Sequence, residues 1–383
     1  MFLVSAHSQA NFPSTTFGAL SKQAAEARES DRLDEAVNLY SRALKLRPNW
    51  EDGWWSLGTL EYDRNHYVNA ASAFQQLLKL QPSNGTAHAM LGLCQFELRK
   101  DTSALKNLLA AERFGIINND QLRKVAIYHL GVLQLRARKF GDAQRTLHQL
   151  AKERVETNEL ITALGQAALL IDPADVIPDN ETPVIQRVGA AEALSATKDF
   201  DRAKQIYTEL ISQNPETPNL HFAYGRLLLE THDTDQAIDE FRRELDRDPK
   251  HVNSMLEIAS VLYQLDSENG LKYAEEAVKL APQIPFGHYI LGLLHLDTGN
   301  PAGAIPELEI ARKAFPSHAK VYYSLGNAYS RVGRKAEAAK ARAEFMRLNK
   351  QEETQEAQQD LSFYRERALS DAQSGEKREN PPQ

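Results

Sequence analysis

The chain has 383 residues, more than one hydrophobic core usually organises, so we expect two domains or a repeat array. Charged residues make up 25%, and the net charge of -7 comes without a cation-dense stripe, which argues against nucleic acid as a partner because phosphates need clustered cations. No apolar run approaches the ~18 residues of a membrane-spanning helix. The single cysteine, Cys94, excludes an internal disulfide or a multi-cysteine zinc site, and we expect it to be a small buried residue.

Residues 1–16 fit none of the patterns that follow them. Their apolar start and the small residues from Ser8 to Ala10 resemble the end of a secretory signal, but the basic start and the longer apolar core of such a signal are missing. Two interpretations are open. Residues 1–16 are either a truncated signal peptide that ends near Ala10, with export to the periplasm, or a disordered terminus on a cytoplasmic protein.

The stretch from Trp54 to Pro82 predicts two helices joined by a polar turn. Its fixed points are Trp54, Leu57 and Gly58 on the first helix, Ala70 and Phe74 on the second, and the closing Pro82. Proline closes the unit because it cannot continue a helix. In residue type and spacing this stretch resembles the tetratricopeptide repeat, a helix–turn–helix unit of 34 residues.

The same pattern recurs along most of the chain. Pro48 and Pro82 lie 34 residues apart, and a polar insert after Ile116 lengthens one repeat spacing to 39 residues. A glycine recurs at the same repeat position in most of the first helices, although glycine in a helix interior is less stable than alanine by up to about 1 kcal/mol. We therefore predict that two helices cross closely at each of these positions: Gly58, Gly92, Gly131, Gly165, Gly225, Gly292 and Gly326.

The repeats predict nine complete units and one half unit in two blocks. Residues 17–171 hold four repeats and the half repeat, and residues 184–352 hold five repeats. The proline-rich segment 172–183 is read as a connector or hinge, and the alternative is a lid loop over a binding groove. We expect a polar capping helix at 353–369, as such arrays need, and a disordered tail at 370–383.

The resemblance implies an all-α fold, a right-handed α-solenoid of stacked antiparallel helix pairs in which the first helices line a concave face. It also implies that positions 2, 5, 9 and 12 of each unit tend to project into that face, and these positions are rich in aromatic residues here. They predict a groove for an extended or helical peptide. The predicted groove residues are Trp55, Tyr62, Phe96, Tyr128, Phe222, Arg226, Tyr263, Phe286, Tyr289, Tyr323 and Asn327, together with Leu93 and Leu135. The alternative is that individual members pack against neighbouring repeats.

The repeat positions assign the two adjacent tryptophans of the clearest repeat to different surfaces. Trp54 is assigned to the repeat core and Trp55 to the groove. Replacing Trp54 by alanine is therefore expected to cost about 3–5 kcal/mol, and replacing Trp55 to weaken binding alone.

No catalytic or metal-binding constellation is found in the sequence. Phosphate-binding loops, nucleophile elbows and zinc-protease motifs are absent. His288 and His295 lie two helical turns apart, but His295 falls on a repeat-core position, so we predict no metal site and no cofactor. Acidic pairs such as Asp239-Glu240 are expected to face solvent.

One subset of the family holds a partner's C-terminal carboxylate with Lys, Asn and Arg from successive repeats. The corresponding positions here cannot supply that clamp; they are Ser21, Ala25, Ser56, Thr86 and Met90. Asn327, with Lys320 and Arg331, is the nearest local imitation.

These observations predict a non-catalytic scaffold or adaptor, bacterial in style, that binds protein or peptide segments. The alternative is a regulatory or substrate-presenting subunit of a separately encoded enzyme. Partner, compartment and oligomeric state are left open by the sequence.

Overall fold

A computed structural model describes residues 16–174 and 181–351, and these residues form nineteen helices and no strand. The helices are α1 (Phe17–Glu29), α2 (Leu33–Leu46), α3 (Glu51–Asp63), α4 (Tyr67–Leu80), α5 (Gly85–Glu97), α6 (Asp101–Phe114), α7 (Asp120–Arg136), α8 (Phe140–Lys152), α9 (Asn158–Ala168), α10 (Thr182–Ala196), α11 (Phe200–Gln213), α12 (Leu220–Glu230), α13 (Thr234–Arg247), α14 (Val252–Leu262), α15 (Ser267–Leu280), α16 (Pro285–Asp297), α17 (Pro301–Ala314) and α18 (Ala319–Arg331). The last helix, α19, begins at residue 335 and is described as far as 351. The predictions for residues 1–15, 353–369 and 370–383 lie outside the described residues.

The chain divides into two compact units, residues 1–219 and residues 220–383, which we call unit 1 and unit 2. In unit 1, α1 to α8 pack as four successive helix pairs, followed by α9, α10 and α11. In unit 2, α12 to α17 pack as three pairs, and α18 packs with α19 through Val321, Leu325, Ala338 and Ala341. The predicted all-α repeat solenoid is confirmed. Of the predicted connector 172–183, the described residues 172–174 and 181–183 lie within unit 1.

A residue in the left-handed backbone region ends the first helix of most pairs. In α3 this residue is Asn65, with φ of 60°, and the next amide, that of His66, donates to the carbonyl oxygen of Glu61 at 2.8 Å. This hydrogen bond satisfies a carbonyl that the end of the helix leaves unpaired. Glycine occupies the equivalent place in two later repeats, at Gly299 and Gly333.

The recurring glycines lie where paired helices cross, as predicted. A Cβ atom on Gly58 would lie 2.8 Å from the ring of Phe74, sixteen residues further along. Gly292 meets Leu308 in the same way, at 2.6 Å. The same offset joins Gly92 to Leu108, Gly131 to Leu147 and Gly225 to Phe241. The absent side chain lets the large residue of the second helix sit against the backbone of the first.

Trp54 is not a core residue, and that prediction was wrong. Its ring is only half-buried, and its indole N–H donates to the carbonyl oxygen of Pro48 at 2.8 Å. The equivalent residue in other repeats donates to the closing proline six residues earlier: His88 to Pro82, His288 to Pro282 and Tyr322 to Pro316. The position therefore selects a ring with an N–H or O–H group, since the proline carbonyl needs a donor.

The half repeat is completed by a neighbouring helix. A Cβ atom on Gly165 of α9 would lie 2.0 Å from the carbonyl oxygen of Ile185, and one on Gly189 of α10 would lie 1.8 Å from that of Ile161. The backbones of α9 and α10 are thus in direct contact. Since no other helix separates α9 from α10 among the described residues, α10 packs against α9 and also serves as the first helix of the pair with α11.

α10 also packs against α8, where a buried polar cluster forms. The carboxylate of Glu192 accepts from the Tyr207 hydroxyl at 2.6 Å, pairs with Nε2 of His148 at 3.2 Å and accepts from the Gln144 amide. Burial alone would raise the pKa of Glu192, but these hydrogen bonds outweigh it and hold the pKa below its ordinary value. The buried charge is therefore compensated within unit 1.

Histidines also link the two helices of several pairs. Nδ1 of His221 lies 2.6 Å from the Glu240 carboxylate, and Nδ1 of His288 lies 2.5 Å from that of Glu307. Glu240 is buried, so the prediction that it faces solvent was wrong. Both ring nitrogens of His288 are engaged, because Nε2 donates to Pro282.

Candidate peptide-binding surface

Three first helices of unit 1, α3, α5 and α7, carry four of the predicted groove residues. Trp55 and Tyr62 on α3 and Phe96 on α5 are half-buried and pack against the same core cluster, and Tyr128 lies on α7. We call these four residues the unit 1 aromatic face. Trp55 meets the core through an edge-on contact with Phe74, with ring centroids 5.6 Å apart.

His129, which the sequence reasoning missed, links two members of this face. Its ring meets Phe96 edge-on at 4.6 Å and Tyr128 at 5.4 Å, and its Nδ1 donates to the carbonyl oxygen of Val125. Burial lowers the pKa of His129, which favours a neutral ring here. The guanidinium of Arg136 lies 4.7 Å above the Phe96 ring, where the negative face of an aromatic ring attracts a cation.

The tyrosines of this face keep their protons over the physiological range. Burial, reinforced by the nearby Cys94 and Glu97, raises the pKa of Tyr62 to about 12. Burial also raises the pKa of Tyr128. Each ring therefore offers apolar surface and a neutral hydroxyl, the combination that interface tyrosines use.

Unit 2 exposes the largest aromatic surface among the predicted residues. Phe286 on α16 is 41% exposed and Tyr323 on α18 is 54% exposed. Tyr289 lies one turn after Phe286, is half-buried, and approaches His318 at the start of α18 with ring centroids 5.6 Å apart. Tyr263 packs against the same core cluster as Tyr289. We call Tyr263, Phe286, Tyr289 and Tyr323 the unit 2 aromatic face.

Two charged residues on first helices of unit 2 interact electrostatically. Burial raises the pKa of Glu257 on α14, and the positive charge of Arg226 on α12 opposes that rise. Arg226 and Asn327 are both half-buried rather than fully enclosed. The predicted polar residues are thus accessible in part, with an arginine and a carboxylate near enough to interact electrostatically.

Three predicted groove residues are buried in the core instead. Phe222 is 4% exposed because it packs between Phe241 and His251, at 5.9 Å and 5.1 Å. Leu93 and Leu135 are also buried. Their assignment to the groove was wrong, since repeat position alone does not reveal how closely the next helix packs.

The described ranges contain no group of three His, Cys, Asp or Glu side chains that could hold a metal ion. Cys94 is buried as predicted, and burial raises its pKa to about 12, so the thiol is unreactive at neutral pH. Within residues 16–174 and 181–351, no helix is both long and apolar enough to cross a membrane.

Comparisons with known proteins place the chain among repeat proteins. A "TPR repeat-containing protein" of Methanocaldococcus jannaschii is 22% identical over 344 residues, which cover 79% of this chain and 57% of the relative. The human protein O-mannosyl-transferase TMTC3 is 26% identical over 283 residues, which cover 67% of this chain and 29% of the transferase. This chain thus spans only part of the length of these relatives.

A crystal structure of MamA aligns with a TM-score of 0.40 and 19% identity, covering 43% of this chain and 96% of MamA. The tetratricopeptide repeat model matches residues 56–115, 188–252 and 289–344. These stretches contain helix pairs from both units, with the glycine crossings described above. The chain is a tetratricopeptide repeat protein.

Proposed function

We propose that this protein is a scaffold without a catalytic site of its own, and that it binds peptide segments of partner proteins on its aromatic faces. The observation that carries the proposal is the exposure of Phe286 and Tyr323 on successive first helices of unit 2. Large exposed aromatic side chains are unfavourable in water and commonly mark interaction sites. Aromatic residues and arginine also supply most of the binding energy at protein interfaces.

Three partly exposed polar residues on the first helices of unit 2 also suit a peptide ligand. Arg226 and Asn327 offer donors to a peptide carbonyl or carboxylate, and Glu257 offers an acceptor to a peptide N–H group. Because burial raises the pKa of Glu257, a cationic or hydrogen-bonding group of the partner would stabilise its charged form.

The proposal is tested by replacing Phe286 and Tyr323 together with serine. Both side chains are exposed, so the fold should persist while partners captured by affinity purification with crosslinking are lost. A matched control replaces Leu265 and Ile310 with serine, since these apolar residues of unit 2 are exposed but lie outside the first helices. Identical partner lists for the aromatic variant and the wild type would contradict the proposal.

A second candidate is a regulatory or substrate-presenting role beside a separately encoded enzyme. The similarity to part of a protein O-mannosyl-transferase favours it, because repeats like these occur in a protein named as a transferase. Co-purification of an enzyme whose kcat/KM changes when this chain is added would support that role. An unchanged kcat/KM would contradict a regulatory role and would indicate that the scaffold only binds the enzyme.

A further inference from the structure

The insert that follows α6 departs from the repeat and lies against the start of α5. α6 ends at Phe114, Gly115 turns the chain with φ of +81°, and Ile116 stands where other repeats have their closing proline. The carbonyl oxygen of Gly115 is so near Gly85 that a Cβ atom on Gly85 would lie 1.9 Å from it. This backbone contact holds the insert over the first turn of α5.

The insert forms one wall of a cleft of about 670 Å³. The cleft is lined by Trp55, Gln81, Pro82, Ser83, Asn84, Gly85, Thr86, Phe114, Gly115 and Ile117. None of these ten residues is charged, although 25% of the chain is. Ile117 is 72% exposed and Phe114 is 39% exposed, so the apolar wall is open to solvent.

The cleft also has polar groups that the fold does not use. The Asn84 side chain is occupied, because it accepts from the Ala87 amide and donates to Gln81. In contrast, the Ser83 and Thr86 hydroxyls and the Trp55 indole N–H make no side-chain hydrogen bond within the described part of unit 1. These groups can pair with the backbone of an extended segment.

The uncharged lining determines which side chain fits. A charged side chain in this cleft would lose water without a charged partner among the lining residues, which is costly. An aliphatic or aromatic side chain would instead cover the exposed surfaces of Ile117 and Phe114. Trp55 belongs both to this cleft and to the unit 1 aromatic face, so one bound segment can reach both.

We propose that this cleft is an anchor pocket for an uncharged apolar side chain of a peptide partner. The inference rests on the proposed function, because the same peptide would continue along the unit 1 aromatic face. It goes further by assigning the insert a role in selecting the partner's anchor residue.

Disulfide tethering tests the pocket without a known partner. A Ser83→Cys variant places a thiol at the exposed rim, and the native Cys94 does not compete because burial raises its pKa to about 12. The probes are small disulfides that carry a phenethyl, isobutyl, carboxylate or ammonium group, equilibrated with mercaptoethanol and read by intact mass spectrometry. We expect the apolar probes to be captured about tenfold more than the charged probes, since only the apolar groups gain by covering the exposed surfaces of Ile117 and Phe114.

Ser317→Cys is the matched control, because Ser317 also follows a closing proline and is exposed but has no insert beside it. It should show no preference for apolar probes. Adding Ile117→Asp to Ser83→Cys should remove the preference, while an unchanged thermal melt shows that the fold is intact.

Equal capture of apolar and charged probes at Ser83→Cys would overturn the proposal. So would the same apolar preference at Ser317→Cys, or a preference that survives Ile117→Asp. Because partner loss in the Phe286 and Tyr323 variant is measured separately in unit 2, failure of the pocket is distinguishable from failure of the proposed function.

Discussion

The glycine of each first helix shows how one residue sets the packing of a repeat. At Gly292 a Cβ atom would lie 2.6 Å from Cγ of Leu308, a buried branched side chain. At Gly326 the nearest atom is Cγ of Arg342, at 3.1 Å, on a long side chain that can move. Equivalent positions in the repeat therefore tolerate a methyl group differently.

We predict that Gly292→Ala destabilises the protein by about 1 kcal/mol. Overpacking against Leu308 costs about 1–3 kcal/mol, and the better helix propensity of alanine returns up to about 1 kcal/mol. Gly326→Ala is the matched control and should be neutral or stabilising. Thermal melts followed by circular dichroism compare the two variants, and an equal effect of both would contradict the steric explanation.

The contacts of the two adjacent tryptophans could not be predicted from their positions in the repeat. The repeat pattern identified both Trp54 and Trp55, but it predicted a core position for Trp54 and an open groove position for Trp55. Trp54 donates to the carbonyl of Pro48, while the ring of Trp55 meets Phe74 in the core. Side-chain direction and hydrogen-bond partners decide such roles, and repeat position does not encode them.

At the scale of helices, the half repeat is the largest departure from regularity. Among the described residues no second helix follows α9 before α10, and α10 packs against α9 with its backbone in direct contact through Gly165 and Gly189. The sequence predicted the missing helix from the prolines after it. It did not predict that α10 would contact α8 and bury Glu192 beside His148.

Gly165→Ala should destabilise unit 1 by about 2 kcal/mol or more, because a backbone carbonyl cannot rotate away as a side chain can. Gly141→Ala is the control, since Gly141 lies in α8 of the same unit with nothing within 4 Å of its Cβ position. The measurements are the thermal midpoint and the rate of limited proteolysis between α9 and α10. A Gly165→Ala protein as stable as Gly141→Ala would show that α9 and α10 are not in backbone contact.

For the whole molecule, buried histidines make stability depend on pH. Burial lowers the pKa of His129 in unit 1 and of His251 in unit 2, and around His251 it outweighs the opposing effect of Glu244 and Asp248. The unfolded chain therefore binds protons more readily than the folded chain. The stability that the neutral rings contribute is present above the ordinary pKa of 6.5 and is lost as the pH falls below it.

A His251→Asn variant tests this linkage. Nδ1 of His251 accepts from the Ser254 amide at the start of α14, and asparagine can cap a helix in the same way without titrating. We expect a lower melting temperature in the variant at pH 8, because the ring contact with Phe222 is lost, and a smaller further decrease than in the wild type between pH 7.5 and 5.5. Parallel decreases in the two proteins would exclude His251 as a source of the pH dependence.

Much of the fold can be predicted from the sequence because most contacts join residues at a fixed separation along the chain. Paired helices, glycine crossings and closing prolines recur at fixed offsets of tens of residues, so their spacing reveals them directly. The binding surface is less predictable, because exposure depends on the neighbouring helix: Tyr323 is open, whereas Phe222 packs between Phe241 and His251.

By itself, the sequence determined that this protein is an array of helix pairs with one half repeat and an aromatic composition on its first helices. Only the tertiary structure decided which aromatics are open, that α10 completes α9, and that the insert after α6 forms one wall of a cleft beside Trp55. The physical reason is that a repeat specifies contacts between fixed positions. A missing helix or an extra loop brings together residues that no common spacing relates.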